Sequence, residues 1–231
     1  MIYNIQDIYE LIKMRFVNIR NRKFATIIHQ FPVAFYNTYA QKIKHTKWNH
    51  HKWKGLTLMK DPMTLSIYMM IIQELKPKTI LEFGTYDGGS ALWMEDIIKS
   101  LSLECEINTF DINKDKVNLP EDSKIKSHHL DNKKINEFIN QRKDLFEKMK
   151  SPILMIEDSH VNSNGLILAI NPFLRSGDYL IIEDTLDQSK YQDTILSEDG
   201  ILNMNYEVDT FYCDFWGVNN SWNVNSIFKK S

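Results

Sequence analysis

Apolar residues recur along this chain in two rhythms, and the change from one to the other lays out the fold. Near the N-terminus Ile2, Ile5, Tyr9, Ile12, Phe16 and Ile19 follow strides of three and four, which predicts one face of an amphipathic helix. A second helical piece is predicted to end at Phe31-Pro32. Asp61-Pro62 reads as a helix cap followed by proline at the first helical position. Leu65, Tyr68, Met69, Ile72 and Leu75 then line one face until Lys76-Pro77 stops the helix. Beyond it, short apolar runs predict strands at 79–83, 106–111, 124–129, 152–156 and 179–182. Helical spacing separates them at 91–94, 135–149, 166–174 and 191–202, and 206–211 with 222–228 reads as a closing hairpin. Strands alternating with helices predict a mostly parallel sheet with helices on both faces.

The stretch T-I-L-E-F-G-T-Y-D-G-G-S at 79–90 organises the rest. It reads as a buried strand, a glycine-rich turn and a helix N-terminus, a geometry that brings backbone N–H groups up to a ligand. Glu82 decides which ligand. A carboxylate at the strand end repels a pyrophosphate, and E-x-G-x-x-x-G-G-S departs from the dinucleotide G-x-G-x-x-G spacing. A cationic ligand suits it, and S-adenosylmethionine carries both an ammonium and a sulfonium. Glu82, Gly84, Tyr86, Gly88 and Ser90 are therefore the expected donor-binding loop.

The predicted strand ends are acidic throughout: Glu82, Asp111, Asp131 just past its strand, Asp158, and the pair Glu183-Asp184. Ligands of open α/β sheets bind outside those ends, and helix capping explains one such acid more easily than five. Asp111 is placed to take both ribose hydroxyls of an adenosine, and Asp131 to accept the adenine amino group. Asp158, Glu183 and Asp184 are expected to converge in one cleft, where crowded carboxylates raise one another's pKa values. A hard divalent cation removes that conflict, and an all-oxygen set selects Mg²⁺, Mn²⁺ or Ca²⁺ over zinc. His160 lies two residues beyond Asp158 and is the expected general base.

Composition narrows the partners. The chain has 231 residues, enough for one large α/β domain with an N-terminal extension, divided here as 1–54 and 55–231. A net charge of −2 gives no reason to expect nucleic acid or an anionic membrane as partner. Before Lys60 the chain is rich in Lys and Arg, with His45, His50 and His51 at no spacing that makes a zinc site. Two distant cysteines, Cys105 and Cys213, point to free thiols and a cytoplasmic protein. No apolar run is long enough to span a bilayer. The apolar stripe from Ile2 to Ile19 is expected to pair subunits in a homo-oligomer.

Four segments together resemble the cephalosporin hydroxylase-like and rhamnosyl O-methyltransferase family. They are G-L-T-L-M-K-D-P at 55–62, L-K-P-K-T-I-L-E-F-G-T-Y-D-G-G-S-A-L-W at 75–93, Asp158-Ser159 with its nearby histidine, and G-D-Y-L-I-I-E-D-T at 177–185. The resemblance covers roughly 54–209 and leaves the first 45 residues outside. It implies a class I methyltransferase fold, a Rossmann-like sheet of seven strands, that binds S-adenosylmethionine. It also implies a metal held by Asp158, Glu183 and Asp184. One departure stands out: the family often spaces its Asp and His as D-S-x-H, whereas here His160 follows Ser159 directly. The expected function is a Mg²⁺-dependent O-methyltransferase acting on a hydroxyl of a sugar, as a glycan or nucleotide-sugar, or of another small natural product. Methylation of a nitrogen or phosphate-type oxygen, or a silent donor-binding subunit, are the alternatives.

Overall fold

A computed structural model describes residues 15–24, 52–197, 200–219 and 221–231. Its centre is an eight-stranded sheet in the order β1-β9-β10-β8-β7-β4-β5-β6. Five strands run parallel: β4 (Thr79–Phe83), β5 (Glu106–Asp111), β6 (Lys126–His129), β7 (Ile153–Glu157) and β8 (Tyr179–Ile182). Every residue of β4, β7 and β8 is buried, which explains why these strands read as unbroken apolar runs rather than as alternation. β9 (Tyr206–Asp209) and β10 (Ile227–Lys230) close the sheet antiparallel. A two-stranded ribbon, β2 (Lys52–Trp53) with β3 (Leu56–Thr57), lies apart from it.

Between β4 and β7 the strand order reverses, and this is where an open sheet leaves a crevice at its carboxyl edge. The ladder runs on past the strands there. Gly84 N–H donates to Phe110 O at 2.8 Å, Asp158 N–H to Phe83 O at 2.8 Å, and Glu183 N–H to Glu157 O at 2.9 Å. The acids that follow the strands are thus pinned by backbone register.

One helix starts and stops where its sequence says. α1 (Pro62–Leu75) is capped by the Asp61 carboxylate, which accepts from Met63 N–H and Thr64 N–H, and it ends at Lys76 with φ of +50°. α2 (Gly89–Ser100) opens after Gly88, whose φ of +100° favours glycine. The stretch predicted as one helix from 135 to 149 is two, α3 (Ile135–Gln141) and α4 (Lys143–Glu147), broken at Arg142. α5 (Ser163–Ile170) precedes β8. The helix expected at 191–202 is a short helical turn, Gln188–Lys190, running into a π-helical turn, Tyr191–Ile195.

Three expectations need amending. Phe16–Val17 is not helical: it forms β1, an edge strand pairing antiparallel with β9, and it brings the seven expected strands to eight. The Arg15 side chain reaches Asp209 at 2.9 Å from beside it, so the extension is stitched to the sheet. β9 and β10 do pair antiparallel, but a helical turn, Thr210–Cys213, and a long loop join them in place of a tight hairpin. Of the expected subunit face, Phe16 pairs in β1 and Ile19 is buried in this chain's own core rather than exposed for a partner, while Ile2, Ile5, Tyr9 and Ile12 lie outside the described residues, as do His45, His50 and His51. Cys105 and Cys213 are both free thiols. Among the described residues no helix is long and apolar enough to cross a membrane.

Candidate active site

A cavity of about 380 Å³ opens at the carboxyl ends of β4, β5, β7 and β8. Six of the residues expected at a donor site line it: Gly84, Tyr86, Ser90, Asp111, Asp131 and Asp158. Gly84 has φ of +106°, and a Cβ there would overlap the Asp158 carbonyl, so the β4 and β7 loops meet only because it is glycine. Asp111 accepts Tyr86 N–H at 2.9 Å and Asn113 N–H at 2.7 Å, which fixes its carboxylate and leaves lone pairs over for a ligand. Asp131 caps the 3₁₀ turn Asn132–Lys134 while facing the cavity.

Glu82 and Gly88 are not on that wall. Glu82 is fully buried beneath it, where Ser90 Oγ donates to one carboxylate oxygen and Thr109 Oγ1 to the other at 2.8 Å. Burial pushes its pKa up to about 7, against the hydrogen bond of Ser90, the charge of Lys60 and the hydrogen bond of Thr109. Gly88 shapes the turn instead, its φ of +100° supplying the left-handed entry to α2.

At the other end of the cavity Asp158, His160 and Asp184 gather, each with one ligand atom within 4.8 Å of the others. His160 Nε2 stands 3.1 Å from Asp184 and 3.4 Å from Asp158. That hydrogen bond is the main influence raising the His160 pKa, and it holds Asp184 below the ordinary carboxylate value although burial pushes the other way. His160 and Asp184 sit at φ of +57° and +56°, left-handed backbone that costs non-glycine residues about 1–2 kcal/mol. Glu157 holds the first of these turns: its buried carboxylate accepts Ser159 Oγ at 2.8 Å and His160 N–H at 3.1 Å.

Glu183 is not brought into that group. Its carboxylate faces inward, accepting from the Tyr68 hydroxyl and lying 3.1 Å from Lys60 Nζ. Burial raises its pKa, with Lys60 opposing. Lys60 is the functional residue that reasoning on acids missed. Its buried ammonium lies 2.6 Å from Asp158 and 3.1 Å from Glu183, so it neutralises two acids at once. It stands in the segment G-L-T-L-M-K-D-P, which carried the resemblance but was given no chemistry.

Lys190 was likewise unassigned. Its ammonium donates to Glu183 O at 2.5 Å and to His160 Nδ1 at 2.7 Å, and lies 3.3 Å from Glu157. An ammonium cannot accept, so Nδ1 must, and Nε2 of the neutral ring then carries the proton. In this arrangement Nε2 has no lone pair for a metal. The donor set is therefore carboxylate oxygen, from Asp158 and Asp184, and this fits a hard cation that keeps several waters. The described lining carries the carboxylates of Asp111, Asp131, Asp158, Glu183 and Asp184 against the ammonium of Lys60, so it also suits a cationic ligand better than a pyrophosphate.

Comparison with known proteins gives the family and the fold. The sequence profile of the family Rhamnosyl O-methyltransferase/CmcI matches residues 45–199. The rhamnosyl O-methyltransferase of Mycobacterium leprae (strain TN) is 27% identical over 142 residues, which are 60% of this chain and 62% of that protein. The one from Mycobacterium tuberculosis (strain ATCC 25618 / H37Rv) is 28% identical over 147 residues, 60% of this chain and 58% of that protein. The chain thus matches about three-fifths of the length of these relatives. Among solved structures, a Mg-SAM structure of CmcI superposes with a TM-score of 0.69 at 24% identity, covering 99% of this chain and 97% of that one. A CmcI structure with SAH gives 0.65 at 24% identity, covering 91% and 94%. At this identity the likeness shows the fold, which is that of a class I methyltransferase with one edge strand more than expected.

Proposed function

The chain belongs to the rhamnosyl O-methyltransferase/CmcI family, and from that premise we propose that it methylates a hydroxyl of a sugar or another small natural product. S-adenosylmethionine would supply the electrophilic methyl group, and Mg²⁺ or Mn²⁺, when bound, would supply Lewis acidity toward the acceptor hydroxyl. One observation carries the reading. A single cavity has the Asp111 carboxylate at one end and the Asp158–Asp184 carboxylate pair at the other.

In this reading Asp111 holds the donor's ribose hydroxyls, Asp131 its adenine amino group, and the loop residues Gly84, Tyr86 and Ser90 enclose it. Glu82 acts from behind the wall, as a buried charge that Ser90 and Thr109 orient. Asp158 and Asp184 are the proposed metal ligands. Glu183 joins them only when Lys60 withdraws, since its carboxylate is engaged there. His160 is the proposed proton acceptor at Nε2, on one condition: the Lys190 ammonium must leave Nδ1 so that the ring proton can move there. Until then His160 donates to Asp184 and fixes that carboxylate in place. The proposed methyltransferase domain begins at residue 55, with 1–54 as an extension that adds the edge strand Phe16–Val17.

Screening small-molecule extracts with methyl-labelled donor and the purified protein tests the activity. A labelled O-methyl ether formed by this protein alone is the expected result. Label on nitrogen or phosphate, or none in any extract while the donor binds, would contradict it.

A further inference from the structure

A second cavity, of about 640 Å³, adjoins the first, and His160 and Asp184 line both. We propose that this second cavity is the acceptor subsite, built for a polyhydroxylated ring that carries no negative charge. This rests on the methyltransferase reading and narrows it, because it excludes nucleotide-sugars and sugar phosphates as acceptors.

Placement comes first. A ligand in this cavity touches the same two side chains as a ligand in the donor cavity, so a hydroxyl can lie at the boundary where Asp184 and His160 stand. The remaining wall comes from α5 and its approach, with Asn162, Ser163 and Asn164, and from the segment 187–194. His160, Asn162 and Asp184 all have left-handed backbone, at φ of +57°, +53° and +56°. Three such residues around one opening are what a pre-shaped site keeps, since nothing in strand or helix formation asks for them.

The chemistry of the wall comes second. Among the described residues it contains no Phe, Tyr or Trp and no aliphatic side chain larger than the Thr194 methyl group. Amides and hydroxyls dominate, and they can pair with the mixed donors and acceptors of a sugar ring. Asn164 supplies the most direct sign. Its Nδ2 donates to Asp193 O at 2.8 Å, while its buried Oδ1 has no hydrogen-bond partner among the described residues. A buried amide oxygen without a partner is costly, and a ligand hydroxyl would satisfy it.

Charge comes third. Asp184, Asp187 and Asp193 face the cavity together with one lysine, Lys190. That ammonium is turned inward onto Glu183 O, His160 Nδ1 and Glu157, with only 14% of its side chain exposed. Among the described residues an anionic acceptor would meet three carboxylates without a cation turned toward it, whereas a neutral glycoside meets hydrogen-bonding groups.

Amide-resolved NMR titration of the full chain tests this. Methyl rhamnopyranoside, up to about 100 mM, is expected to shift the amides of Asn162–Asn164 and Thr194 in a saturable way, and glucose 1-phosphate is not. In Asp193→Lys, glucose 1-phosphate is expected to gain about tenfold in affinity. No shift by the neutral glycoside at these residues would overturn the proposal. So would equal shifts by the phosphate in wild-type protein. S-adenosylhomocysteine is titrated into the same sample and read at Tyr86 and Asp111. If those amides stay still, the methyl-donor reading fails, while the glycoside arm still decides whether the second cavity binds a neutral polyol.

Discussion

The two ends of the cleft handle the same problem, a buried carboxylate, in opposite ways. At the donor end Glu82 is satisfied by two hydroxyls, Ser90 Oγ and Thr109 Oγ1. At the proposed metal end Asp158 and Glu183 share one buried ammonium, and Asp184 leans on an imidazole. A hydroxyl can turn to serve either protonation state, so Glu82 can exchange its proton without losing its partners. An ammonium serves only the charged form, so the metal end is organised around a positive charge that must stay or be replaced. The donor end is thus built to sense charge and the metal end to require it.

Removing that charge is the harshest way to break the contrast. Lys60→Met is expected to destabilise the protein by about 3 kcal/mol in EDTA, because it leaves buried carboxylates uncompensated. A saturating divalent cation is expected to return part of that loss. Urea melts with EDTA and with Mg²⁺ read both, and a loss below about 1 kcal/mol would show that the acids do not depend on Lys60. Asp184→Ala strikes the same end without the fold. It is expected to lower turnover by roughly a hundredfold or more, as a residue that directs the cation should. The rise in Tm that Mg²⁺ gives the wild type should shrink alongside. A rise equally large in the variant would remove Asp184 from the metal site.

At the donor end the effects are smaller. Asp111→Ala is expected to weaken S-adenosylmethionine binding by about 1.5–3 kcal/mol, or tenfold to over a hundredfold, by calorimetry. Unchanged affinity would leave Asp111 as a loop anchor for Tyr86 and Asn113 alone. Glu82 gives the mildest and most diagnostic signature. Its folded-state pKa, about 7, lies above the ordinary 4.5, so the folded protein holds a proton that the unfolded chain has lost. The stabilisation it contributes is complete below about pH 4.5 and is lost as pH rises through 7. Between pH 5 and 8 the ligand-free wild type should lose of order 1–3 kcal/mol relative to Glu82→Gln. Donor affinity should move the other way, rising with pH as the carboxylate ionises beneath a cation. Parallel pH slopes in the two proteins would break the assignment.

How far the sequence spoke depended on which forces set each feature. The parallel strands were legible because burial on both faces leaves continuous apolar runs, as in Ile153–Glu157 and Tyr179–Ile182. Asp61-Pro62 and Lys76-Pro77 fixed α1 because cap chemistry is local. Phe16–Val17 misled because a two-residue edge strand is held by its partner β9, and its own spacing fits a helix equally well. At the site, the acids at the strand ends were visible, since strand ends and acids are both local features. Which way each one turns was not. Lys60 and Tyr68 engage Glu183 and His160 engages Asp184, although the two acids are adjacent and both line the cavity. Lys60 reaches Asp158 and Glu183 from far along the chain, and Lys190 reaches Glu157 and His160 from the turn after β8, pairings that local spacing does not set.

The central claim is that this cleft binds a cationic methyl donor at one end independently of a metal at the other. Calorimetry with S-adenosylmethionine on the folded protein, in EDTA and then in Mg²⁺, tests it directly. Saturable binding in both solutions, with affinities within a few-fold, is the predicted result. No binding at millimolar donor, or binding that appears only with Mg²⁺, would contradict the account.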